Sequence, residues 1–132
     1  MSYLLDTNIC IYIIKNRPKA VIQQLRRQPL EDINVSTITL AELELGVAKS
    51  ERRETNRLAL IEFLSPFRIR DFDQAAAHEY GILRSELETR GTPIGPLDML
   101  IAAHAISLQL ILVTNNIKEF RRIGNLHIEN WV

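Results

Sequence analysis

Asp6, Glu42, Asp98 and Asn116 are the residues whose types could do chemistry together. Asp98 is the most telling. It is the only acid in the run Pro96 to Leu108, which is apolar almost all round. A helix of that composition is largely buried. A carboxylate in such a setting needs a partner, or it takes up a proton and loses its charge. Ala102 and Ala105, one and two turns on, leave space beside it. A hard divalent cation is one fitting partner. Mg2+ takes one or two carboxylates and keeps waters that a substrate phosphate can displace. The plainer alternative is that Asp98, behind Pro96, only stabilises the positive end of its helix.

The other three residues carry less on their own. Asp6 follows Tyr3-Leu4-Leu5 directly and can equally be a helix cap. Glu42 projects near Thr39, Gly46 and Lys49, whereas Glu44 sits between apolar neighbours. Periodicity does not choose between these two acids, although Gly46 leaves Glu42 an open face. Asn116 reads as a loop residue. Thr114 is placed either to hydrogen-bond a carboxylate or simply to end a strand.

The elements that must position these residues alternate. Strands are predicted at Tyr3 to Leu5, Ile33 to Ser36, Arg68 to Asp71 and Leu110 to Thr114, with a final edge strand at His127 to Glu129. Helices are predicted at Thr7 to Lys15, Pro18 to Arg27, Thr37 to Lys49, Arg52 to Leu64, Asp73 to Arg90, Pro96 to Leu108 and Asn116 to Arg122. Asp73 can cap the long helix and Gly91 can close it. This order predicts an α/β fold with a mainly parallel sheet and helices on both faces. The unbroken apolar run Leu110-Ile111-Leu112-Val113 fits a strand covered on both sides. Ligands of such sheets gather beyond the carboxyl ends of the strands. In a parallel sheet Asp6, the start of the second crossover and Asn116 can converge there. Asp98 joins them only if its helix begins near that edge.

At 132 residues the chain is expected to form one domain, residues 1–132. Sixteen basic and 16 acidic residues cancel, so net charge advertises no nucleic-acid partner, and such a reading must rest on local patches. The one cysteine, Cys10, excludes an internal disulfide and reads as a small buried apolar group. No apolar run approaches membrane-spanning length, and no signal peptide is visible, so a soluble cytoplasmic protein is expected. His104 shares a face with Leu97, Leu100, Ile101 and Leu108 and reads as a core histidine, not a ligand.

Four stretches in order resemble the PIN-domain family, and within it the VapC toxins. They are Leu5-Asp6-Thr7-Asn8-Ile9; Ser36 to Leu43 with Gly46; Pro93 to Asp98 with Ile101 to Ala105; and Val113-Thr114-Asn115-Asn116 with Glu119-Phe120. Trp131 also fits. The resemblance implies a three-layer α/β/α sandwich with a central parallel sheet. It implies carboxylates holding Mg2+ or Mn2+, which map to Asp6, Glu42 and Asp98. A fourth acid of many relatives falls near Asn116, where this chain has an amide; Glu119 is the nearest acid. That departure favours one tightly held ion. The resemblance further implies a metal-dependent endoribonuclease toxin of a bacterial toxin–antitoxin pair. A homodimer within a hetero-oligomer and a cognate VapB-type antitoxin that blocks the site are implied with it. Similar proteins of enteric bacteria cut initiator tRNA in the anticodon loop, so tRNA is the expected substrate.

On this reading Asp6 and Asp98 are metal ligands. Glu42 orients or deprotonates the attacking water, or joins the ligands. Thr114 and Asn116, with Glu119 in part, hold the carboxylates in place. Lys15, Arg17, Arg52, Arg53 and Lys118 are candidate RNA-phosphate contacts; a solvated surface is the plainer account of each. Two alternatives have other consequences. A receiver-like phosphoacceptor domain would want paired acids after the first strand and a Lys where Glu129 stands. A catalytically silent PIN-shaped binding module would be expected to lack one of Asp6, Glu42 and Asp98, and all three are present.

Overall fold

The computed structural model describes all residues from Met1 to Val132. Its strands are β1 (Tyr3–Leu5), β2 (Ile33–Ser36), β3 (Arg68–Arg70), β4 (Ile111–Val113) and β5 (Ile128–Glu129). They form one 5-stranded sheet in the order β3-β2-β1-β4-β5, parallel at every pairing. The helices are α1 (Thr7–Ile14), α2 (Lys19–Arg26), α3 (Thr37–Lys49), α4 (Arg53–Leu64), α5 (Gln74–Thr89), α6 (Pro96–Leu108) and α7 (Ile117–Phe120).

Strand alternation sorts the core into two halves. From β1, Tyr3 and Leu5 join Ile33, Val35 and Val113 against Ile9, Val21, Leu43 and Leu60 from α1 to α4. Leu4 faces the other way. With Leu112 it meets Leu83 and Leu87 of α5, Met99 and Ile101 of α6, and Phe120 of α7. The sheet is therefore the middle of three layers, as the alternating pattern predicts. Because β1 is covered on both faces, all of its residues are buried and apolar. The β3 edge instead carries Arg68 and Arg70, charges that discourage further strand pairing.

Boundaries moved by a residue or two from the sequence reading, and α7 shrank to a single turn. A 3-10 turn at Leu30–Asp32 precedes β2 and was not foreseen. Asp73 caps α5 by accepting from Ala76 N at 3.0 Å. The chain leaves α5 through Gly91 at φ +69°, a backbone state in which a Cβ is strained. No helix is long and apolar enough to cross a membrane.

The register brings the strand ends into line. Leu5 pairs with Val113, and Asp6 N donates to Val113 O at 2.8 Å. Leu4 pairs with Asn34, which sets Asp6 beside Ser36. His104 is fully buried, as expected of a core histidine, and ties α6 to the end of β2. Its Nδ1 lies 2.8 Å from Ser36 Oγ, and its ring meets Phe72 edge-on at 5.4 Å. Burial lowers its pKa, so the ring is neutral. Its Nε2 has no hydrogen-bond partner.

Trp131 locks the C-terminus onto this frame. It is 2% exposed, stacks edge-on against Tyr3 at 5.3 Å, and donates through Nε1 to Glu129 at 2.8 Å. Trp131→Ala should cost about 3–5 kcal/mol in urea unfolding followed by circular dichroism. A cost under about 1 kcal/mol would show that the ring is not part of the core.

Candidate active site

Asp6, Ser36 and Thr114 are the first residues past β1, the last residue of β2 and the first past β4. The backbone turns into a helix after the first two, so short polar side chains are favoured there as caps. Asp6 caps α1: Oδ1 accepts from Thr7 N at 2.9 Å. Ser36 caps α3 by accepting from Ile38 N at 3.0 Å. The cap reading of Asp6 is thus correct, but it accounts for only one of its two oxygens. Oδ2 accepts from the Thr114 hydroxyl at 2.7 Å.

From Asp6 a string of hydrogen bonds runs both ways. Thr7 Oγ1 donates to Glu42 Oε1 at 2.8 Å, with buried Thr39 Oγ1 3.3 Å away. On the other side Thr114 Oγ1 accepts from Asn116 N at 2.9 Å. Asn116 Nδ2 reaches toward Asp98 Oδ2 at 3.5 Å, a long contact. Glu42, Asp6 and Asp98 are therefore joined through Thr7, Thr114 and Asn116. Tertiary packing makes the choice that periodicity left open: Glu42 faces this string, while Glu44 pairs with Arg57 at 3.0 Å. The start of α6 also reaches this edge, which brings Asp98 into the set.

The carboxylates crowd one another electrostatically. Asp98 is pushed up to about 6, first by burial and then by the charges of Asp6, Glu42 and Glu119. Burial also raises Asp6, with Glu42 adding to the shift, while the bonds from Thr114 and Thr7 oppose it. No Lys or Arg pairs with Asp6, Glu42 or Asp98; the ion pairs are Arg57–Glu44, Arg84–Glu88 and Arg122–Glu119. Glu119 is thus largely committed to Arg122, at 3.2 Å.

These donors fit a hard cation. All are oxygen atoms, and their net charge is uncompensated. No three acidic, His or Cys side chains close to the spacing of a complete metal cage. The sequence reading of three carboxylates caging an ion is therefore looser in the structure: the acids adjoin through neutral donors. Mg2+ needs only one or two carboxylates, with water filling the rest of its octahedron. Buried Cys10 takes no part; burial first, then Asp6, holds its thiol well above the usual range.

The candidate phosphate contacts scatter. Lys15 and Arg17 are exposed past the end of α1. Lys118 is exposed on α7, close to Asn116 in the chain. Arg52 and Arg53 are exposed at the α3–α4 corner. The last residue of α3 before that corner lies about 10 Å of helix past Glu42. Sequence reasoning missed Thr7 and Thr39. A Thr at a helix start is unremarkable until α3 packs across it.

A model of the PIN domain matches residues 3–126. The chain is 49% identical over 132 residues to Ribonuclease VapC2 of Rickettsia felis, covering 99% of this chain and 98% of that one. It is 46% identical over 132 residues to the tRNA(fMet)-specific endonuclease VapC of Shigella flexneri, with the same coverage. Among solved structures, VapBC2 of Rickettsia felis bound to a promoter DNA fragment superposes with a TM-score of 0.94 at 48% identity, over 100% of both chains. VapBC from Salmonella typhimurium, also bound to DNA, gives 0.94 at 41%, over 100% of this chain and 99% of that one.

A raised Asp98 has a consequence for stability. With chelator present, the folded chain holds this proton more tightly than the unfolded chain, whose carboxylate titrates near about 4. The stability it contributes is present below about pH 4 and is lost as pH rises through about 6. Asp98→Asn removes that loss, so the chelated variant should have a higher urea midpoint than the parent at neutral pH. A parent midpoint that falls no more than the variant's over this range would contradict the crowding.

Proposed function

This chain belongs to the PIN-domain family, and on that footing we propose that it is a divalent-metal-dependent endoribonuclease, the toxin of a VapBC-type toxin–antitoxin pair. The observation that carries the reading is the string of hydrogen bonds joining Glu42, Asp6 and Asp98, none of which pairs with a Lys or Arg. The whole chain, residues 1–132, is read as one such domain. The endonuclease of Shigella flexneri is named as specific for tRNA(fMet), and its identity to this chain supports a tRNA, the initiator in particular, as substrate. The VapBC complexes among similar structures support a cognate antitoxin as partner.

Asp6 and Asp98 would hold Mg2+ or Mn2+, with Glu42 beside them. The chemistry supplied by a bound ion is charge relief on the non-bridging phosphate oxygens and acidification of a nearby water. The side chains do the rest. Thr7 and Thr114 anchor both oxygens of Asp6, which fixes its orientation and opposes the loss of its charge on burial. Glu42 is anchored through Oε1 alone. Its other oxygen has no protein partner and can orient the attacking water and take its proton. Asn116 donates toward Asp98, where a carboxylate would only repel it. Because Asn116 is an amide and Glu119 is tied to Arg122, the negative charge suits one ion better than two. Lys15, Arg17 and Lys118, exposed and without acid partners, are the phosphate contacts that this reading favours.

Incubation with a tRNA pool and Mg2+, read by end mapping, tests this. The parent should cut at defined loop positions and stop when chelator is added. Asp98→Ala should slow cleavage by at least about a hundredfold while its circular dichroism stays native. Full cleavage by Asp98→Ala, or cleavage indifferent to chelator, would sink the assignment.

A further inference from the structure

Beyond the carboxylate string, one aromatic ring is tied to the site loop. Tyr12 lies on α1, six residues past Asp6, or about 9 Å of helix. Its hydroxyl accepts from Asn115 Nδ2 at 3.2 Å. Asn115 stands between Thr114, which binds Asp6, and Asn116, which reaches Asp98. The ring is half-buried and rests on the core, so it is held in one place while part of it meets solvent. Beside it lies a hollow of about 310 Å³ lined by Ile11, Tyr12, Lys15, Arg17 and Pro18. No acid lines it, and neither Lys15 nor Arg17 has an ion-pair partner.

An anchored ring, an exposed amide and two free cations suit one kind of ligand. An unpaired nucleotide offers a flat base to stack, base edges for an amide, and phosphates for the cations. We propose that Tyr12, steadied by Asn115, is the stacking platform for one unpaired base flanking the scissile phosphate, with Lys15 and Arg17 holding the adjoining backbone. This rests on the ribonuclease reading and deepens it. It also explains how a chain with no net charge grips RNA: the cations need only be local. A protein segment in the same hollow is the competing occupant. The basic, acid-free lining favours a polyanion over it.

The test uses a fluorescently labelled RNA stem-loop, and the same stem-loop with abasic loop residues, bound to full-length protein in an Asp98→Asn background. Tyr12→Leu keeps apolar volume but removes the ring, and circular dichroism checks its fold. It should weaken stem-loop binding by roughly five- to a hundredfold. The abasic loop should bind the parent as weakly as the intact loop binds Tyr12→Leu, with no further loss on combining the two. Tyr12→Phe, which keeps the ring, should recover most of the affinity. With Asp98 restored, the cleavage defect of Tyr12→Leu should fall on KM more than on kcat. If Tyr12→Leu binds and cuts like the parent, the inference is overturned and the ribonuclease reading stands. Unchanged RNA binding with weakened antitoxin binding would overturn it in favour of a protein-docking role. A parent that cuts no RNA overturns both.

Discussion

Like-charge crowding at the ends of three parallel strands is the constraint on which the structure turns. Asp6, Glu42 and Asp98 lie within one another's fields, with Glu119 adding to them. Such a cluster is unfavourable unless something compensates for it. Salt bridges would do so most directly, and none touches these three residues. The compensation comes instead from neutral donors: the Thr7 amide and hydroxyl, the Thr114 hydroxyl and the Asn116 side chain. Neutral donors fix orientation without cancelling charge. The site therefore keeps a net negative charge that a mobile cation can answer, where a fixed Lys or Arg would have closed it.

The topology explains why the crowding is possible. β1 is the central strand, so Asp6 emerges between the ends of β2 and β4, and the helices that follow carry the remaining groups over it. α3, capped by Ser36, brings Glu42 to Thr7. α6 is held to the same edge by His104 against Ser36, and its first turn presents Asp98. Each charged group sits on or beside an element whose apolar face is buried in one of the two core halves. Packing of those halves thus offsets the electrostatic cost of the site.

Much of this was legible in the residues. Strand alternation foretold the layers, and the all-apolar α6 and the position of Asp6 after β1 marked two of the acids as candidates. Glu42 was not separable from Glu44 by helical period, because both lie on one partly exposed helix; contact with Thr7 and with Arg57 distinguishes them. Where α6 begins relative to the sheet edge is a tertiary fact with no local signature. Thr7 and Tyr12 were missed for the same reason. A Thr at a helix start and a Tyr on an apolar helix look ordinary until another element supplies their partner. Asn116 was recognised as a departure from the acid expected there. The structure gives it a positive role, since an amide can donate toward Asp98 and a carboxylate at neutral pH cannot.

The central claim is that this residual negative charge is a binding site for a divalent ion. Titration of chelator-stripped protein with Mn2+, followed by electron paramagnetic resonance, tests it most directly. The account predicts one saturable Mn2+ site per chain, weakened strongly in Asp6→Asn and Asp98→Asn and unaffected by neutralising Glu44 on the same helix as Glu42. Equal Mn2+ binding by the parent and both site variants would contradict it.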